Sequence, residues 1–392
     1  MKSAKKIILF LLFLAYGEVC YITSLRTNIF SIVQREYHLD YSHIATLVLI
    51  SGIVMQISIY LTGIFSKKWG YHKPLMGGLA VSGISIFCMF FAKNIFLFDL
   101  LFILFMFGFG VCNLTLNMYA GALAVNNRGK ALMKLHLGAA LGMSIGPTVI
   151  SQFMNIGFSW QSILGISSFP AFILIILLFF NKEPNSQEKF EENQSVQTTD
   201  DPLNSKSFIV WMFIIMFICS QIWEYGVGTW FVIYARAAKD LSEIQAAKYL
   251  TIFLAGFPIG RIIYSKILDY VSSYKSILIA FLGNFILILL GLLTKKLIFI
   301  SLTGFFTSSM FPVIMSMMQE ELGDHRSDLI GWICMVGGIL QYIFIWSVGK
   351  LGDIWGIEVG FGSLIIYMLI GALTVLMIKN SLSEHETIKC SS

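Results

Sequence analysis

Three ionisable side chains lie inside long apolar runs of the sequence: Glu18, Arg26 and Glu224. A carboxylate in such surroundings can bind and release a proton when its access to water changes, and its structural alternative is a hydrogen bond between helices. Arg26 lies about 12 Å beyond Glu18 along a helix, so we expect no direct pair between them. Its guanidinium could bind an anionic or polyhydroxylated solute, or extend to a membrane interface.

Amide side chains recur at helical spacing in the same kind of run. Asn113 and Asn117 are one turn apart, and Gln221 precedes Glu224 by three residues, so each pair shares a helix face. Amides, carboxylates and indole rings together are typical of sugar sites, whereas hydrogen bonds between helices and lipid-facing indoles are the structural alternatives. The candidate substrate-binding or coupling residues are Glu18, Arg26, Asn113, Asn117, Gln221, Glu224, Trp230 and Gln341.

Membrane-spanning helices are the elements that must position these side chains. The 392 residues are 57% hydrophobic and 12% charged, whereas soluble domains are roughly 45–50% apolar and about 25% charged. One span needs about 20 residues, so twelve spans leave no room for a catalytic domain outside the membrane, and we expect no enzyme. The sequence predicts an all-α polytopic membrane protein with spans at 7–32, 43–65, 74–92, 96–124, 132–155, 161–181, 207–235, 246–268, 276–294, 297–319, 328–349 and 357–378.

A polar, acidic segment at 182–206 divides the twelve spans into two sets of six. Its composition cannot bury a core and is typical of a flexible linker. We therefore predict pseudo-symmetric six-helix bundles at 1–181 and 207–379, joined by a cytoplasmic linker and followed by a cytoplasmic tail at 380–392. This layout favours a site between the bundles near the middle of the membrane.

Basic residues predict the orientation of the chain in the membrane. With the amino terminus inside, 18 of the 27 Lys and Arg residues fall in cytoplasmic segments and eight in outer ones. This bias predicts a plasma-membrane protein with both termini in the cytoplasm. The net charge of +5 is explained in this way, so we expect contact with the lipid bilayer and no nucleic-acid partner.

Cofactor and nucleotide signatures are missing from the sequence. The six cysteines are isolated and form no Cys-x-x-Cys pair, which indicates neither a metal site nor a disulfide framework. No Gly-x-x-x-x-Gly-Lys-Ser/Thr loop occurs, so we expect no cofactor and no direct use of ATP. A monomer is the default expectation.

One pattern, an acid position between two glycines with basic residues near it, occurs at 63–73 and again at 349–356. A copy at 265–275 has the same frame, with Ser265 and Ser272 in place of the glycines. In the first copy Gly63 and Gly70 frame the segment and basic residues close it. Glycine allows a tight turn, and an acid can cap a helix or pair with a base in one conformation. The pattern resembles the signature loop of the major facilitator superfamily, whose members have two six-helix bundles.

The resemblance implies a gating role for the acid position of each copy. Asp269 occupies this position in the second copy and Asp353 in the third, whereas Lys67 replaces the acid in the first. We therefore do not expect the first copy to form the family's gating contact, which needs an acid at this position. Arg128, in an Asn-Asn-Arg-Gly segment, and Arg261, after Gly260, complete the candidate gating residues.

Within the superfamily the chain is most similar to the fucose:proton symporter group. The similarity lies in four places: Trp-Glu-Tyr-Gly-Val-Gly-Thr-Trp at 223–230, Gly-Arg at 260–261, Ser-x-Met-Phe-Pro at 308–312, and Asn-Asn-Arg-Gly at 126–129 followed by Lys-Leu-His at 134–136 and Gly-Pro at 146–147. L-Fucose permease-like members carry a glutamate four residues before an asparagine in helix four and an aspartate in helix one. This chain has two asparagines in helix four and Glu18 in helix one, so that proton site is not carried over unchanged.

We interpret the sequence as that of a secondary active transporter moving a small polar solute, such as a sugar, by proton-coupled alternating access. Glu18 and Glu224 are the candidate coupling residues. The alternative is a proton-driven antiporter that exports a drug-like or other amphipathic compound. A sensor or scaffold without transport activity belongs to a third class, for which no enlarged loop or tail provides a partner site.

Overall fold

The structure is a computed structural model that describes residues 2–124, 128–181, 207–267, 270–322 and 327–391. The predicted linker at 182–206 lies outside these ranges. Nearly every described residue is helical, as the long apolar runs require, because a backbone in lipid must satisfy its own hydrogen bonds.

Seven α-helices and one short 3-10 turn form the first half of the chain. The turn at Met89–Phe91 ends α3, and the Asn94 side chain caps α4 by accepting the Leu97 backbone N–H at 2.8 Å. The helices are α1 (Lys2–Glu36), α2 (Tyr41–Trp69), α3 (His72–Cys88), α4 (Ile95–Leu123), α5 (Arg128–Asn155), α6 (Trp160–Ser167) and α7 (Phe169–Phe180).

Seven further α-helices form the second half. Gly356, with φ 88°, lies in the left-handed region that favours glycine and turns the chain between the last two spans. The helices are α8 (Ser207–Lys239), α9 (Glu243–Ile267), α10 (Ser273–Thr294), α11 (Leu297–Leu322), α12 (Ser327–Trp355), α13 (Ile357–Gly362) and α14 (Ile365–Ser391).

Twelve helical segments of the described chain are long and apolar enough to cross a membrane, which confirms the predicted fold class. Two spans are interrupted. Pro170 lies in the first turn of α7, and because proline has no N–H to continue the preceding ladder, the sixth span is divided into α6 and α7. The twelfth span is divided into α13 and α14.

Contacts divide the chain into two compact units. The first unit contains α1 to α7 together with Ser242–Thr251, whereas the rest of α9 belongs to the second unit with the remaining helices. Within the first unit, Glu243 pairs with Arg35 and accepts a hydrogen bond from the Ser31 hydroxyl at 3.1 Å. The start of α9 is thus grouped with the first unit, and the division into two six-helix bundles stays a prediction.

Close packing of α1 against α5 fixes the position of the mid-membrane part of α1. A Cβ at Gly138 would lie 2.6 Å from the Phe13 carbonyl oxygen, and a Cβ at Gly142 would collide with the carbonyl oxygen of Gly17. Glycines four residues apart let membrane helices approach to backbone contact. The two helices therefore have little freedom to shift against each other within this packing.

Candidate functional site

A cluster of polar side chains lies inside the first unit, and we call it the amide cluster: Tyr16, Asn113, Asn117 and His136. The Tyr16 hydroxyl donates to Asn113 Oδ1 at 3.0 Å and joins α1 to α4. The Tyr16 ring meets the His136 ring of α5 edge to face, with centroids 5.5 Å apart. The three helices thus bring their polar groups to one place.

Both asparagines retain hydrogen-bonding capacity. Asn117 Nδ2 donates to the Asn113 carbonyl oxygen at 2.8 Å and approaches Asn113 Oδ1 at 3.4 Å. Among the described hydrogen bonds, none involves Asn113 Nδ2 or Asn117 Oδ1, and both side chains are half-buried. One donor and one acceptor in a membrane-spanning helix are therefore available to a polar ligand.

Glu18 lies on a different face of α1. It is 9% exposed near the middle of a span that runs from Lys5 to Glu36. Its Oε1 atom is buried and has no hydrogen-bond partner among the described residues. Because helix positions two apart point about 200° away from each other, Glu18 faces away from Tyr16. The described contacts do not include Glu18 in the amide cluster.

Arg26 is also buried, with 8% of its surface exposed, two turns beyond Glu18 on α1. Two residues further along α1, the Asn28 Oδ1 atom is buried without a partner in the described part of the chain. The described contacts do not join Arg26 to Glu18, and the lack of a pair between them stays an expectation from the helix geometry.

The second unit contains its own polar stripe on α8. Gln221 is 6% exposed, its Nε2 lies 3.4 Å from the Ser220 hydroxyl, and Glu224 is half-buried three residues later. Gln341 on α12 is 2% exposed, and its Oε1 has no partner among the described residues. These amides provide buried polar groups in the second unit, but no described contact joins Gln341 to the α8 pair.

Both tryptophans of α8 belong to the interior packing of the second unit. Trp230 is fully buried and its Nε1–H donates to the Ile345 carbonyl oxygen at 3.2 Å. Trp223 is equally buried and donates to the Thr303 hydroxyl at 3.1 Å. With its ring enclosed and its donor occupied, Trp230 packs α8 against α12, and we propose that it does not contact the substrate. The lipid-facing alternative does not apply to it either.

Two of the four candidate gating residues have described side chains. Arg261 is half-buried on α9, with its guanidinium 5.9 Å from the Phe257 ring centroid. Asp353 is exposed within α12, which continues through the third glycine pattern to Trp355 instead of ending at 349. Asp269 and the side chain of Arg128 lie outside the described residues.

Two polar groups were missed by the sequence analysis. Tyr16 completes the amide cluster, and since its partner is 97 positions away, no local pattern reveals the pairing. Asn284 on α10 is fully buried and donates to the Thr307 hydroxyl at 3.2 Å. Its amide inside an apolar span was the available signal. Within the described ranges, no three His, Cys, Asp or Glu side chains are arranged to hold a metal ion.

The family comparison identifies the fold. The sequence model of the Major Facilitator Superfamily matches residues 9–340. The chain therefore belongs to this superfamily, as the glycine patterns indicated.

Three bacterial relatives are similar in sequence. The chain is 31% identical to a glucose/galactose transporter of Brucella abortus over 145 residues, which cover 35% of this chain and 34% of the relative. It is 22% identical to a TsgA homolog of Buchnera aphidicola over 392 residues, covering 95% and 96% of the two chains. A glucose/galactose transporter homologue of Helicobacter pylori, itself named as putative, is 30% identical over 183 residues, which cover 45% of this chain and 43% of the relative. The chain thus spans less than half the length of the two sugar-transporter relatives it matches.

Solved structures share the fold over almost the whole chain. The nucleoside transporter NupG superposes with a TM-score of 0.76 at 14% identity, covering 96% of this chain and 98% of that one. A D-xylose-proton symporter gives 0.76 at 16% identity, covering 95% and 96%. The transporter FucP in its outward conformation gives 0.64 at 18% identity, covering 96% and 99%. These neighbours are transporters and not enzymes.

Proposed function

We propose that this chain is a secondary active transporter that moves a sugar or a similar small polar solute across the plasma membrane, coupled to protons. Membership of the superfamily supports transport, and the glucose/galactose transporter of Brucella abortus supports a sugar. The D-xylose-proton symporter has the same fold and supports the coupling ion.

The amide cluster is the observation that carries the substrate proposal. It offers amide donors and acceptors, a phenol and an imidazole, all uncharged or weakly basic groups, from three helices. A sugar needs hydrogen bonds to its hydroxyls and apolar contact with its C–H faces, and aromatic edges beside amides meet both needs.

Glu18 carries the proton-coupling proposal. A charged carboxylate without a partner is expensive inside a membrane, whereas the neutral acid is tolerated. Oε1 of Glu18 is buried without a described partner, so the side chain would stay neutral until water reaches it. Since Glu18 and Tyr16 belong to the same helix, a movement of α1 together with α5 against α4 would change the surroundings of both the proton site and the substrate site.

Liposomes containing the purified protein provide the substrate test. We expect a panel of monosaccharides to include at least one that is taken up, and Asn117→Leu to reduce its uptake roughly tenfold by leaving substrate hydroxyls unpaired. Asn181→Leu is the matched control, because Asn181 Nδ2 also donates to a carbonyl four residues back, at 2.9 Å, but at an exposed helix end.

Sugar uptake that Asn117→Leu leaves unchanged would reject the amide cluster as the substrate site. The sugar proposal itself would be rejected if no monosaccharide is taken up while a nucleoside is taken up, or while an amphipathic dye exchanges for protons. The dye result would favour the antiporter alternative.

A further inference from the structure

An apolar groove runs along the first unit between α2 and α3, with α4 as its floor. Each of the two outer helices packs along α4 but makes few contacts with the other, which leaves a cavity of about 560 Å³. Its walls include Thr62, Phe65 and Trp69 of α2, Lys73 and Gly77 of α3, and Val111 of α4. None of the candidate substrate-binding residues lines it.

The groove has the length of one half of a bilayer. On α2 it extends from Ser58 to Trp69, about 16 Å at the helical rise. The hydrocarbon core of one leaflet is about 15 Å thick. A groove of this length that opens at the membrane surface would reach about the depth where a lipid chain ends.

The interior of the groove offers a ligand almost no hydrogen bonds. The Ser58 hydroxyl donates to the Met55 carbonyl oxygen at 2.7 Å, and the Thr62 hydroxyl donates to the Ser58 carbonyl oxygen at 2.7 Å. Both donors are thus used inside α2. A Cβ at Gly77 would meet no atom within 4 Å, so the wall of α3 is open at this point. Such a channel suits a hydrocarbon chain better than a sugar.

The mouth of the groove is basic and aromatic. Lys73 is exposed there, and Lys68 is exposed beside Trp69 at the end of α2. Within the described ranges, neither lysine forms an ion pair. The Trp69 ring stacks on Phe65 with centroids 5.0 Å apart, and tryptophan is enriched where a membrane meets water.

We propose that this groove binds one anionic phospholipid, with an acyl chain lying against Gly77 and the phosphate at Lys73. The charge at the mouth, the satisfied hydroxyls inside and the leaflet length all match this ligand. Lys68 reinforces the same mouth, since each lysine near a membrane surface strengthens the attraction of anionic lipid about fivefold. The site is separate from the amide cluster and does not depend on the proposed substrate.

Native mass spectrometry of the purified full-length protein tests the proposal, with dioleoyl phosphatidylglycerol and dioleoyl phosphatidylcholine titrated separately. We expect one phosphatidylglycerol to be retained about 25-fold more strongly than phosphatidylcholine, about fivefold for each of Lys68 and Lys73. Lys73→Gln should lower this preference about fivefold, and Gly77→Leu should abolish retention of both lipids by filling the groove. Glycerol phosphate at the same concentration should not displace the lipid, because it lacks the chains.

Matched control variants distinguish lipid bound in the groove from lipid bound elsewhere on the surface of the protein. Lys275→Gln removes an exposed lysine from the corresponding position of the second glycine pattern, and Gly331→Leu fills open space on α12. Both should retain phosphatidylglycerol like the wild type. Equal retention of the two lipids by the wild type, or retention of phosphatidylglycerol by Gly77→Leu, would overturn the proposal. Displacement by glycerol phosphate would show a phosphate site without a chain site and would overturn it as well.

Discussion

Two faces of α1 carry the side chains that we propose for proton coupling and for substrate binding. Tyr16 meets Asn113 of α4, whereas Glu18 lies about 200° around the helix with an unpartnered carboxylate oxygen. A proton at Glu18 and a solute at the amide cluster would therefore communicate through the position of α1 and not through direct contact.

Trp230 provides a prediction that separates packing from substrate binding. Trp230→Phe removes the N–H that reaches the Ile345 carbonyl oxygen and shrinks a fully buried ring, so stability should fall by about 1–3 kcal/mol. The Michaelis constant for the transported solute should stay within about twofold. Thermal unfolding and uptake kinetics measure the two effects, with Trp211→Phe, at a 52% exposed position, as the control. A raised Michaelis constant without loss of stability would return Trp230 to the substrate site.

Helix periodicity predicted the asparagine pair, because residues four apart share a face whatever surrounds them. It did not find Tyr16, whose partner belongs to another helix, and it assigned Trp230 to substrate. The sequence could not separate a tryptophan packed inside a bundle from one lining a cavity, since both lie in apolar runs. That distinction depends on helix contacts such as the one with Ile345.

At the scale of the elements, the backbone contact of α1 with α5 positions Glu18. Gly138 and Gly142 allow this contact because neither has a side chain to separate the helices. The four-residue spacing of these glycines is visible in the sequence, but no helix contact was predicted from it. Apolar run length was enough to find all twelve spans, but it could not locate the breaks between α6 and α7 and between α13 and α14.

A substitution at Gly142 tests the contact between these helices. Gly142→Ala places a methyl group against the Gly17 carbonyl oxygen, and overpacking of this kind should destabilise the protein by about 1–3 kcal/mol. Gly331→Ala is the control, because a Cβ there meets no atom within 4 Å and should not lower stability. Thermal unfolding of both variants in one detergent is the measurement. Equal stability of the two variants would contradict the proposed contact.

At the scale of the whole molecule, the fold follows from composition and run length, and the family match over residues 9–340 confirms it. Orientation in the membrane depends on the distribution of Lys and Arg and stays a prediction. We propose that both termini and the segment 182–206 face the cytoplasm.

Labelling of single cysteines checks this orientation. In a variant without the six native cysteines, Ser195→Cys should react with a membrane-impermeant maleimide only after the cells are opened. Lys296→Cys, between α10 and α11, should react in intact cells. The reverse pattern would contradict the predicted orientation.

The central claim is that Glu18 couples a proton to movement of a polar solute. The most direct measurement compares proton-driven sugar accumulation with sugar counterflow in liposomes, for the wild type and Glu18→Gln, with Glu358→Gln at an exposed site as the control. We predict that Glu18→Gln abolishes accumulation and the associated proton movement but retains counterflow, because exchange needs the amide cluster and not the proton. Accumulation by Glu18→Gln at the wild-type level would contradict the account.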